Sequence, residues 1–226
     1  MSAERLFDDW PERYDQWFQT PIGKLVIAYE REVVLEFLKP ARGDKILDAG
    51  CGTGLFTLDF LSKGAQVVGL ELSLPMLLGA CRRAGASPFR GIQGNMIGLP
   101  FKNNRFDKVV SITALEFIED AAGAVRELFR VTRPGGLVVV ATLNSLSPWA
   151  ERRTAKTRKG QKHLLENAFF RSPDEMRAMI PSPTRVKTVI HFNKGEDPAS
   201  ARAIEKAGQK SGVNTGAFVV MSAQKP

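Results

Sequence analysis

Residues 46–54, ILDAGCGTG, constrain the fold more than any other stretch of this chain. An apolar run of strand length enters a turn with alternating glycines, and a helical pattern follows over residues 53–62. Glycine accepts positive φ and lets the backbone approach a ligand closely, while free amides at a helix start meet polar or anionic groups. Several ligand classes exploit such a turn. A P-loop needs Gly-Lys-Ser/Thr at its end, and none is present. A dinucleotide fingerprint needs GxGxxG, but here the third glycine comes one place early, at Gly54, and Leu55 follows. That spacing counts against NAD without excluding it.

The same alternation runs through the chain. Short apolar runs at 45–49, 66–72, 106–113 and 137–143 predict buried strands, with a weaker one at 89–93. Patterns with one apolar face at 53–62, 73–84 and 120–132 predict the helices between them, stopped by Gly64, Gly85 and Pro134. An amphipathic helix is expected over 22–38, ended by Pro40. Two further strands, 185–192 and 217–223, flank a helix near 199–210. Strands alternating with helices mean a mostly parallel sheet covered on both faces. Glu71 ends the second strand, 21 positions after Gly50, near the spacing at which an acid reaches a ribose in nucleotide-binding folds.

Composition narrows the class. At 226 residues, 43% hydrophobic and 25% charged, the chain suits one domain with an elaboration and argues against disorder. No apolar run is long enough to span a bilayer. The first residues, MSAERLFDDWPERYD, are acidic where a signal peptide is basic and then apolar, so a cytoplasmic location is expected. Cys51 and Cys81 form neither a CxxC pair nor a zinc pattern. The net charge of +8 is concentrated: residues 151–163 hold six Lys or Arg against one Glu, a local +5.

The turn DAGCGTG with its distant acid Glu71 resembles motif I and the acidic loop of class I S-adenosylmethionine (SAM) dependent methyltransferases. The likeness continues through residues 94–101 (GNMIGLPF), 106–111 (FDKVVS) and 133–137 (RPGGL), which are similar to the successive motifs of the methyltransferase type 11 group. Its relatives include the ubiquinone and menaquinone C-methyltransferases. The resemblance covers residues 40–144 and implies a Rossmann-like seven-stranded sheet of order 3-2-1-4-5-7-6 with the last strand antiparallel. It also implies one domain: an N-terminal helical lid to residue 39, a cofactor core over 40–144, a basic acceptor-side insert over 145–184, and C-terminal strands over 185–226 completing the sheet.

Carried over position by position, the resemblance implies that Asp48, Gly50, Cys51, Gly52 and Gly54 build the loop around the amino-acid moiety of SAM. Glu71 binds the ribose; Leu72 and Met76 contact the adenine; Met96 offers it a backbone amide. Asn95 stands where the family more often has Asp, and an amide oxygen accepts the same hydrogen bond without charge. Thr113 faces the sulfonium, and Tyr14 belongs to the segment that closes over the cofactor. The implied activity is methyl transfer from SAM to a small-molecule or lipid-like acceptor, leaving S-adenosylhomocysteine (SAH). A SAM- or SAH-binding module without catalysis and a nicotinamide oxidoreductase stay open as alternatives.

No catalytic residue is assigned. Many relatives carry histidine just after strand four, where this chain reads Ala114-Leu115-Glu116-Phe117-Ile118. Glu116 is a base only if burial raises its pKa, and a helix cap or solvated surface acid is the expectation. His163 and His191 are expected in packing roles, with no metal site. Cys51 is expected to fit the turn rather than act as a nucleophile, and Cys81 to be packed on its helix. Trp10, Tyr14, Trp17 and Phe18 form either a lid over a flat acceptor or an aromatic patch docked on the core. The basic segment 151–163 suggests an anionic acceptor or a solvated face. Nucleic-acid methylation is disfavoured, because Ser111-Ile112-Thr113-Ala114 replaces the Pro-Pro-aromatic element of amino-group enzymes and no cysteine suits cytosine chemistry.

Overall fold

The structure, a computed structural model, describes Phe7, residues 15–150 and residues 168–226. Helix α1 (Pro21–Leu38) starts where Thr20 accepts a hydrogen bond from the Gly23 amide at 3.1 Å and Pro21 supplies a ready-made first-turn φ. It ends at Lys39, whose φ of 47° turns the chain out before Pro40. The chain then lays down β1 (Lys45–Ala49), α2 (Thr57–Ser62), β2 (Gln66–Glu71), α3 (Leu74–Ala84) and β3 (Phe89–Gln93). β4 (Phe106–Ile112), α4 (Ala121–Val131), β5 (Thr132–Leu143), α5 (Pro173–Ala178), β6 (Thr184–Val189), α6 (Pro198–Ser211) and β7 (Phe218–Gln224) follow.

The seven strands form one sheet of order β3-β2-β1-β4-β5-β7-β6. All neighbours are parallel except those of β7, which runs antiparallel to both β5 and β6. The unbroken apolar runs have a direct cause. In β5, Val139 and Ala141 enter the core under α1, whereas Val138 and Val140 enter the core on the α4 side. A strand buried on both faces cannot alternate apolar with polar residues.

Several boundaries differ from expectation: α2 begins at Thr57 rather than at residue 53, β6 ends at Val189 rather than at residue 192, and β5 starts early. The segment 133–136 does not merely turn into strand five: β5 begins at Thr132 opposite Phe106, and the register slips before Lys108 meets Leu137. Gly135, at φ 71°, takes up the irregularity, and Pro134 is tolerated there because a bulged edge has no ladder bond for its missing N–H. Because strand order reverses between β1 and β4, the carboxyl ends of β1, β2 and β4 open a crevice at the switch point.

Candidate functional site

That crevice holds a cavity of about 480 Å³. Of the residues singled out in the sequence, Asp48, Gly50, Cys51, Gly52, Glu71, Leu72, Met76, Asn95, Met96 and Thr113 all line it. Tyr14 lies outside the described residues, as do Trp10, His163 and the whole basic segment. Gly54 does not line the cavity. Its φ is 80°, and a Cβ there would stand 3.1 Å from Ala80, so this glycine serves the turn and the seating of α3.

The loop after β1 is shaped by backbone contacts. The Gly50 and Cys51 amides both donate to the Leu70 carbonyl, at 2.7 and 3.1 Å, tying the end of β1 to that of β2. Gly50 has φ 81°, and a Cβ on it would lie 2.4 Å from the Ala114 Cβ. Gly52 is needed for its φ of 53° alone, since the nearest atom to a built Cβ is 3.9 Å away. Its amide donates to one Glu71 carboxylate oxygen at 3.0 Å, and the Ser73 amide donates to the other at 2.9 Å. Burial raises the Glu71 pKa, and those amides oppose the shift. A carboxylate offers about four lone-pair positions, so acceptor capacity remains for other donors.

Asp48 is buried, and burial pushes its pKa up to about 7 against a 2.6 Å hydrogen bond donated by Thr57. Asn95 uses its side-chain oxygen to accept from the Ile97 amide at 3.0 Å, capping the single helical turn Met96–Gly98. Asn or Asp would serve that cap equally. Thr113, with φ 47°, hangs from β5 by its amide, which donates to Ala141 at 2.8 Å. Burial drives the Cys51 thiol well above its usual pKa, so it is a packing group beside Leu77 and Ala80 and not a thiolate. Cys81, expected to be packed, is exposed.

A second correction concerns Glu116. It neither caps a helix nor faces solvent: it is fully buried, lines the cavity and accepts a hydrogen bond from Thr142 at 2.9 Å. The reason is tertiary, because the turn Leu115–Phe117 folds under β5. Glu30 of α1 was missed altogether. It is buried, lines the same cavity, and its pKa is raised to about 8 by burial and then by the charge of Glu116. The signal existed: Val26, Glu30, Val33, Val34 and Phe37 share the helical spacing of the buried stripe, and a charge in such a stripe calls for a reason. His191 sits away from the cavity, bonded to Glu205 at 3.2 Å.

Beyond Thr113 the walls become apolar and aromatic, with Trp17, Phe18, Phe117, Ile118 and Trp149. Trp149 is held by its indole N–H, which donates to Phe192 at 2.6 Å, and Trp17 packs edge-on to it. The N-terminal side is latched: Asp15 pairs with Arg83 and accepts from the Thr53 hydroxyl at 2.9 Å, while Arg83 donates to the Thr53 carbonyl at 2.6 Å. Among the described residues no group of His, Cys, Asp and Glu could hold a metal.

A parallel α/β sheet with a glycine turn, a strand-end acid and a crevice at the switch point defines a nucleotide-cofactor-binding protein. Comparison with known proteins makes the class specific. The methyltransferase-domain family matches residues 47–140. Demethylmenaquinone methyltransferase of Streptomyces griseus is 34% identical over 172 residues, covering 75% of this chain and 69% of the relative. Malonyl-[acyl-carrier protein] O-methyltransferase of Erwinia pyrifoliae is 38% identical over 112 residues, but these span 50% of this chain and only 42% of that protein. A SAM-dependent methyltransferase of Thermotoga maritima, described as a possible histamine N-methyltransferase, superposes with a TM-score of 0.75 at 22% identity over 99% of this chain and 100% of that one. The chain belongs to the class I SAM-dependent methyltransferases. SAM is its cofactor. The lining fits that group: a desolvated acid with spare acceptor capacity, Gly50 and Gly52 placing no side chain between the loop and the cavity, and apolar Leu72, Met76 and Met96 for a flat ring.

Proposed function

We propose that the chain methylates a small or lipid-like acceptor with an apolar body, seated against Trp17, Phe18, Phe117, Ile118 and Trp149. The observation that carries this reading is the continuity of the cavity from the Glu71 cradle to that aromatic wall. When bound, SAM supplies a methyl group already activated by its sulfonium. Glu71 and the Gly52 loop position the nucleoside end, Thr113 and Asp48 flank the reacting end, and the aromatic residues exclude water. Positioning and exclusion of water supply much of the rate for such a displacement.

The division of labour follows the same lines. Asp15 ties the start of the described chain to the Thr53 loop of the cofactor site, and Trp149 borders the acceptor side. The expected anionic acceptor rested on residues 151–163, which lie outside the described residues. Among the described residues, the acids of the lining are Glu30, Asp48, Glu71 and Glu116 against one cation, Lys194, which favours a neutral or cationic head group. Thermal shift and calorimetry test the cofactor site, and labelled methyl transfer from SAM to apolar acceptors tests the reaction. SAH raises Tm and NADH does not; a folded protein indifferent to SAH refutes the reading.

A further inference from the structure

Glu30 has no part in the cofactor cradle and none in the packing of α1. The residue is 6% exposed, and no hydrogen-bond donor among the described residues meets its carboxyl. It lines the cavity together with Glu116, which comes from the turn Leu115–Phe117 and whose charge acts on it. Two nearby cations act on the pair through their charge, Arg31 on Glu30 and Arg171 on Glu116, while their hydrogen bonds go elsewhere. Arg31 pairs with Asp59 and donates to the Leu55 carbonyl, and Arg171 donates to the carbonyls of Leu115, Ile118 and Phe169. Lys194 stands over the Trp17 ring, 5.2 Å from its centroid.

Two carboxyl groups in one desolvated cavity repel each other as anions, and an unsatisfied buried carboxyl is destabilising. Protonation relieves this only in part, which is the state that the raised Glu30 pKa describes. A ligand cation relieves it fully, because it provides both the charge and the hydrogen-bond donors. The walls around the pair are apolar and aromatic, so the cation must be carried on an apolar body.

Resting on the methyltransferase reading above, we propose that Glu30, with Glu116 beside it, is the acceptor-specificity site of this enzyme and takes the protonated amine of an apolar acceptor. The pair then has a second use. An ammonium has no lone pair, so one proton must leave the nitrogen for a carboxylate oxygen. The freed lone pair forms the new N–CH3 bond, the electron pair of the old C–S bond stays on sulfur, and the product leaves as the N-methylammonium. Carboxylate head groups are excluded by the same two acids.

The test uses three ligands with one apolar body, 2-naphthylmethylamine, 2-naphthalenemethanol and 2-naphthoate, titrated by calorimetry into the full chain saturated with SAH. The amine binds about ten-fold or more tightly than either partner, the discrimination that a desolvated charge pair confers. Glu30→Gln, similar in shape and neutral, reduces that preference to about three-fold or less while SAH affinity holds and the protein stays folded; a role confined to packing would not move the ratio. Absence of an amine preference in the wild-type protein, whether the three bind alike or none binds, overturns the inference while normal SAH binding leaves the methyltransferase reading intact. So does a Glu30→Gln variant that loses SAH affinity, since the residue then belongs to the cofactor. A folded wild-type protein that binds no SAH removes the underlying reading, and the inference with it.

Discussion

Three glycines in one turn do three different jobs. Gly50 is excluded from any other identity twice over, by its φ of 81° and by the Ala114 methyl 2.4 Å from where a Cβ would be. Gly50→Ala is therefore expected to abolish SAH binding and to lower stability by about 1–3 kcal/mol, read by calorimetry and denaturant melts. Gly52→Ala meets no clash, so its SAH affinity should fall with a smaller loss of stability. Glu71 is the sharper probe of the site. If the carboxylate holds the ribose as proposed, Glu71→Ala should weaken SAM binding by about 1.5–3 kcal/mol, ten-fold or more. Unchanged affinity in Glu71→Ala would remove the ribose role. All of these residues were legible from the sequence because their function is local: a positive φ or a strand-end acid is a property of a few consecutive positions. Glu30 and Glu116 were not so legible, since their role depends on two walls meeting.

Secondary-structure elements followed their sequence patterns closely wherever caps and apolar periodicity agreed. β1 and β3 have the expected limits, and α3 starts after the Ser73 cap and stops at Gly85. β5 starts earlier than its apolar run because pairing with Phe106 captures Thr132, a contact that no local pattern announces. Contacts between elements also create electrostatic dependences. For His191, burial lowers the pKa, but the hydrogen bond and charge of Glu205 and the Val213 carbonyl outweigh it and leave it raised above 6.5. Glu205 ends below 4.5, because His191, Gln209 and backbone donors outweigh its burial. The His191 contribution is complete below its unfolded pKa and fades as pH rises through the folded one; that of Glu205 fades as pH falls through its lowered value. Glu205→Gln should thus lower Tm most between about pH 5 and 6.5, with a smaller deficit near pH 8.5. A deficit independent of pH would mean that the pair is only packing. The Asp15–Arg83–Thr53 latch predicts that Asp15→Asn speeds proteolytic cleavage of the N-terminal segment and weakens SAM binding modestly, measured by limited digestion and calorimetry.

Over the whole molecule, the cavity gathers acids whose folded pKa values are raised: Glu30 to about 8, Asp48 to about 7, and Glu71 upward. Burial is the first cause in each. Between the ordinary carboxylate range and these values the folded state binds more protons than the unfolded one, so stability falls as pH rises. The Tm of the ligand-free protein should accordingly increase as pH is lowered from about 8 to about 5, and Glu30→Gln should flatten the slope. Below that range the lowered pKa values of Glu36, Glu127 and Glu175 reverse the trend. A Tm that climbs steadily from pH 5 to 8 would contradict the burial of these acids.

The glycine turn and the acid at Glu71 were readable in the sequence because each rests on residues close together in the chain, and the strand order came only through the family that those residues resemble. The charge of +8 could be placed on a segment but given no partner. Folding supplied what linear order cannot. It seated α1 against the sheet, turned Glu116 inward under Thr142, and brought Glu30 to the same cavity from 86 positions away in the chain. Among the described residues, the part of the cavity lined by Glu30 and Glu116 is therefore acidic where the chain's overall charge is basic, since a cavity's electrostatics are set by which side chains converge and lose water, not by their sum.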